Sequence, residues 1–290
     1  MRTKVMIPGL GLLALFAVML LAFGCSSDSS PTSTKTAGLE TDHDFLIVQN
    51  QVDVILDSAI QFFSTGFDVY NLLPNDDDDV QAHYSPGDPS AVTGFGYYPA
   101  SGWYEFYVSR DNGVFTDHIT DSLQFKENNT VTADPVIADY MRYIHRWDFA
   151  SKLTSQTYTN YDTAWIDLEF SNLDQTQALI TGSGELWMNW NYISVDTTID
   201  AEYHISVEFN DVAIDEVPTY GFVSGCPTEG EFRFIIYQSY TLDDGGTPVV
   251  VDNVRWNASV NFENGLATVR ITTPDNFWNY TRQACVVVGN

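Results

Sequence analysis

From Gly94 to its C-terminus the chain is written in a period of two, and that period dictates what it can fold into. Ile199, Ala201, Tyr203, Ile205, Val207 and Phe209 alternate with Asp200, Glu202, His204, Ser206 and Glu208. Successive side chains of a strand point to opposite faces, so this segment reads as a half-buried strand with one wet side. Val254, Trp256, Ala258, Val260 and Phe262 repeat the pattern, Glu263-Asn264-Gly265 turns the chain, and Ala267, Val269 and Ile271 return. Asn-Gly between two alternating runs is a hairpin signal. Arg110-Asp111-Asn112-Gly113 is expected to join a strand from Trp103 to Ser109 to one starting at Val114, and Asp243-Asp244-Gly245-Gly246 marks another turn. Strands joined by tight turns, with no helices between them, pair antiparallel.

One helix is expected ahead of this β body. Thr41 and Asp44 resemble a capping box, and Phe45, Val48, Val52, Ile55, Ala59 and Phe63 then recur at three- and four-residue intervals up to a stop at Gly66. A helix from Asp42 to about Ser64 would be about 34 Å long, enough to cross a broad sheet. Some strands carry apolar residues on both faces: Leu186, Met188, Trp190 and Tyr192 share one side, Trp187 and Ile193 the other. The expected fold is therefore mainly β, of α+β type. It is either an antiparallel sandwich or a curled sheet, with the long N-terminal amphipathic helix packed on it.

At the N-terminus, Arg2 and Lys4 precede the apolar run Leu10 to Phe23, which is short for a membrane span and the right size for a secretory signal. The run ends in Leu21-Ala22-Phe23-Gly24-Cys25, and this stretch resembles the lipobox of bacterial lipoproteins. The resemblance implies cleavage before Cys25 and attachment of lipid to its thiol. With Ser26 following, it also implies delivery to the outer membrane, with the body in the periplasm or at the cell surface. Residues 1–24 are then the signal peptide, and the Ser-, Thr- and Pro-rich stretch 25–39 is a flexible lipidated tether. Residues 40–290 form a single domain. With Cys25 consumed by lipid, Cys226 and Cys285 remain as an even pair in an oxidising compartment. A disulfide between them would close a loop of roughly 60 residues, and the chain-entropy model gives it about 4 kcal/mol. Two buried thiols are the alternative.

The charge is lopsided: 12 basic against 39 acidic side chains give a net −27. Phosphate neutralisation needs clustered Lys and Arg, so a nucleic-acid partner is excluded. Between about residues 74 and 90 the composition turns to Pro, Gly and Asp, including Asp76, Asp77, Asp78 and Asp79. That is an exposed acidic loop, with a local Ca²⁺ site as the alternative; no other cofactor is implied. The chain holds no GxSxG, HExxH or phosphate-binding loop. Arg142-Tyr143-Ile144-His145-Arg146-Trp147 is its one locally basic spot, where arginines either pair with carboxylates or hold an anion. Asp167 and Glu169 share the wet face of one strand.

Aromatic residues are in excess, with 18 Phe, 16 Tyr and 7 Trp. Trp103, Tyr107 and Trp187 are the candidates for ligand contact, because each is expected to face away from the core. Three roles are carried forward. The first is a membrane-anchored, non-enzymatic envelope lipoprotein with a structural or interaction role. The second is a carrier or receptor for a lipid or other apolar ligand, since in element order alone the body resembles lipoprotein-carrier folds. The third is a carbohydrate-binding or carbohydrate-active protein, from aromatics plus acids.

Overall fold

A computed structural model describes residues 49, 52–53, 55–57, 59–60, 63, 67, 91–153, 157–193, 198–215, 226–243, 245–272 and 277–284. They form twelve strands: β1 (Ala91–Tyr98), β2 (Trp103–Asp111), β3 (Phe115–Glu127), β4 (Thr130–Thr132), β5 (Tyr140–Leu153), β6 (Thr157–Ser171), β7 (Gln177–Ile193), β8 (Thr198–Asp215), β9 (Pro227–Asp243), β10 (Val249–Glu263), β11 (Leu266–Thr272) and β12 (Phe277–Gln283). A 3-10 turn, Pro135–Ile137, sits between β4 and β5 and is capped by Asp134, whose carboxylate accepts from the Val136 amide. All strands belong to one antiparallel sheet, and β4 is a short annex paired with β3. Each of the others pairs antiparallel with its neighbours in chain order.

The ladders put the core on one face. A single cross-strand row runs from Leu123 on β3 through Tyr143, Leu168, Gly182, Phe209, Phe232, Val260 and Val269 to Tyr280 on β12. The side chains along it are at most 5% exposed. Burying a side chain of this size contributes roughly 1.5–3 kcal/mol of transfer free energy, so the row is the spine of the fold.

Four expectations need correction. The sandwich is replaced by a single sheet. On the outer face Trp187 stacks on His204 of the neighbouring strand. The long helix from Asp42 to Ser64 is not established as an element, because much of it lies outside the described residues. Of its expected stripe, Val52, Ala59 and Phe63 are helical and buried and Ile55 is helical and half-buried, while Leu56 and Ile60, outside that stripe, are buried as well. Phe67, past the expected stop, is also helical. It is fully buried, with its ring 4.9 Å from that of Phe170. Finally, Arg110 does not belong to a turn. It is the penultimate residue of β2, faces the core side and pairs with Asp117 at 2.8 Å.

The helical positions touch strands far apart. The Phe63 ring lies 5.3 Å from Phe209 and 5.6 Å from Phe232, while Asp53 accepts a hydrogen bond from the Tyr280 hydroxyl at 2.8 Å and pairs with Arg282 at 3.1 Å. Burial raises the Asp53 carboxyl above its ordinary value in spite of the Arg282 guanidinium.

Candidate functional site

The wet face of the sheet is not uniform. On β7 to β10 the register places Trp187, His204, Tyr237 and Arg255 directly opposite one another on four adjacent strands. Side chains that face each other across a ladder stand close enough to stack. Trp187 and His204 do so with centroids 4.8 Å apart and planes within 5°, and His204 and Tyr237 follow at 5.9 Å and 16°. The Arg255 guanidinium closes the far end, 5.8 Å from the Tyr237 ring. Each aromatic contact is worth about 0.5–1.5 kcal/mol beyond its buried area, so the stack is a rigid wall. The imidazole is clamped between two rings, and its Nε2 is buried with no hydrogen-bond partner.

The next row along the strands is polar. Tyr161, Asn189, Glu202 and Ser239 are successive cross-strand neighbours. Asn189 Nδ2 donates to Glu202 Oε1 at 3.1 Å, which fixes one carboxylate oxygen and leaves the group exposed. A register shift between Val251 and Val254 turns Asn253 into this row, where its backbone N–H donates to Ser239 Oγ at 2.9 Å. Bulges re-aim side chains in this way. Wall and floor together enclose a trench of about 520 Å³. That is within the range of small-ligand sites. Trp187 is 42% exposed and Tyr161 58%, so the aromatic surface at the Trp187 end is open to a ligand.

A second constellation lies on the opposite, core-facing side. Asp121 Oδ1 accepts from the Tyr143 hydroxyl at 2.7 Å and contacts His145 Nδ1 at 2.7 Å. Asp117 accepts from Arg110 at 2.8 Å and from Trp147 Nε1 at 2.7 Å. Burial, then the adjacent Asp121 charge, holds the Tyr143 hydroxyl well above its ordinary pKa. His145, Asp117 and Asp121 are each at most 7% exposed, so this network is a polar seam in the core with no opening for a substrate. Among the described residues no group of three or more His, Cys, Asp or Glu side chains is placed to hold a metal ion.

The expected contact residues are thus divided. Trp187 lines the trench. Trp103 and Tyr107 face outward as expected but stand on β2, four ladder steps from β7, or about 19 Å at normal strand spacing. Trp103 lies 6.0 Å from the Arg142 guanidinium. Tyr107 is paired with Gly94 on β1, and its ring fills the space that a side chain there would take. Arg142 is held by Asp167 through two hydrogen bonds, at 2.9 and 2.6 Å, so the carboxylate-paired alternative applies to it. Cys25, Cys285 and Asp76 to Asp79 lie outside the described residues. Cys226 is a half-cystine, and no cysteine pair is complete among the described residues. His204, Tyr237, Asn189 and Glu202 were not singled out by sequence, where His204 and Glu202 read as solvated strand positions; only the register brings the four together. No protein-family model, curated protein or solved structure matches the chain.

Proposed function

We propose that this is a lipid-anchored cell-envelope protein whose role is non-enzymatic binding, and that it binds carbohydrate in the trench on β7 to β10. The observation that carries the reading is the pairing of an aromatic wall, Trp187-His204-Tyr237, with a floor of amide, hydroxyl and carboxylate groups. A sugar ring has apolar C–H faces and a rim of hydroxyls, so it needs both kinds of surface within one ring's reach. The floor offers donors and acceptors in mixed order, which suits a polyhydroxylated ligand better than an apolar one. Among the described residues Glu202 is the one carboxylate lining the trench, whereas glycoside hydrolysis uses two flanking the scissile bond; this favours binding over cleavage. The core face is filled by the chain's own side chains, Phe63 and Phe67 included, which favours display over carriage of an apolar ligand.

In this reading Cys25 carries the lipid, residues 25–39 are the leash, and the sheet curls around the buried helical positions Val52, Leu56, Phe63 and Phe67. Contacts from Asp53 on to β12 and from Phe67 on to β6 support the curl. Cys226 pairs with Cys285, which nonreducing peptide mapping checks directly.

The test is retention of the mature body on immobilised insoluble polysaccharides. Wild type is expected to be retained, and Trp187→Ala to lose at least tenfold in affinity with an unchanged melting midpoint. Equal retention of the two proteins would overturn the trench as the binding surface. Release of the protein from membranes by Cys25→Ala checks the anchor.

A further inference from the structure

We infer that the trench selects glycans bearing free amino groups, a ligand class that rests on the carbohydrate reading above and sharpens it. Among the described residues its floor holds a single carboxylate, Glu202, and that group is oriented. Asn189 donates to Oε1, so the carboxylate remains an acceptor with Oε2 left over for a ligand. A neutral hydroxyl makes an ordinary hydrogen bond there, whereas an ammonium makes a charge-assisted one, roughly twice as strong. The walls agree. Trp187 and Tyr161 offer exposed aromatic surface, to which a cation is drawn by the ring quadrupole.

The surrounding charge points the same way. Asp200, two residues from Glu202 on β8, shares its wet face, and Glu185 and Glu208 lie farther along the same face. Of the basic groups nearby, Arg233 is paired with Glu231 at 2.7 Å, and Arg255 is stacked behind Tyr237, on the side away from Trp187. With 39 acidic against 12 basic side chains, the field of the whole molecule attracts a polyamine sugar and repels a uronic acid. The polar row argues for an amino sugar over a simple amine: Asn189, Ser239 and Asn253 would be superfluous for an isolated ammonium.

The experiment compares three tetramers with the same β-1,4 backbone, one of glucosamine, one of N-acetylglucosamine and one of glucose, titrated into the mature body. The glucosamine tetramer is expected to bind on the order of tenfold more tightly than the other two, the step that one charge-assisted contact supplies. Glu202→Gln should erase that preference while leaving binding of the two neutral tetramers in place. General attraction by the acidic body would survive the loss of one charge among 39, so the variant separates local from global effects. Equal affinity for all three, or a preference undiminished in Glu202→Gln, overturns this inference and leaves carbohydrate binding standing. Failure of all three to bind overturns both.

Discussion

Arg110 and Asp117 are an ion pair with both side chains nearly out of water, 4% and 2% exposed. Desolvating two charges costs several kcal/mol each, which good geometry offsets without much surplus. The pair is therefore weak as a source of stability and severe as a liability. Arg110→Met alone leaves a buried carboxylate uncompensated and is expected to cost on the order of 3–5 kcal/mol. The double variant with Asp117→Asn removes the stranded charge and keeps an acceptor for Trp147 Nε1, so it should recover most of that loss. Urea denaturation midpoints of the two proteins decide the matter, and a double variant no more stable than the single would mean that the attraction itself held the fold. Nothing local in Arg110-Asp111-Asn112-Gly113 reveals this pair. The stretch has turn chemistry at Asn112 and Gly113, and the burial of Arg110 follows only from its position opposite Asp117.

At the scale of elements, what is local in the sequence was legible and what is relational was not. Alternation located the strands because the side-chain period of a strand is fixed at two. Asn264-Gly265 located the β10–β11 hairpin because both residues take positive φ, 52° and 77°, as a type I′ turn demands. Register, by contrast, depends on which residues of separate strands meet. The row Trp187, His204, Tyr237 and Arg255 is therefore invisible until the ladder exists, and its outward aromatics imitate a second buried face, which kept the sandwich reading open.

Two glycines make the difference between local and relational effects measurable. At Gly265 an added methyl meets nothing within 4 Å, so Gly265→Ala should cost about 1 kcal/mol through backbone strain alone. At Gly182, φ is 148°, the ladder shifts register beside Ile180, and a methyl would run into the Asp167 carbonyl of the neighbouring strand. Gly182→Ala should cost distinctly more, about 2–4 kcal/mol, because strain is joined by a backbone clash that only movement of β6 relieves. Thermal melts of both variants test the ordering, and equal losses would show that the β6–β7 pair absorbs the methyl freely.

For the whole molecule the governing quantity is charge. A chain with 39 acidic and 12 basic side chains resists compaction by self-repulsion, which keeps it soluble and subtracts from its stability. Salt acts on the two kinds of electrostatics differently. Raising ionic strength from 0.01 M to 0.3 M shortens the screening length from about 30 Å to roughly 6 Å, which removes long-range repulsion between exposed carboxylates. It also weakens exposed pairs such as Arg233 with Glu231, but solvent already screens these and they contribute little. Buried contacts, Arg110 with Asp117 above all, are screened much less. The repulsive excess is spread over many groups and the attractive exposed pairs are few among the described residues, so repulsion wins. The melting midpoint should rise with salt, by roughly 2–4 °C for each 1 kcal/mol of repulsion removed. Calorimetric scans at constant pH in sodium chloride measure it. A fall in the midpoint would mean that surface pairs, rather than net charge, dominate the electrostatics of this sheet.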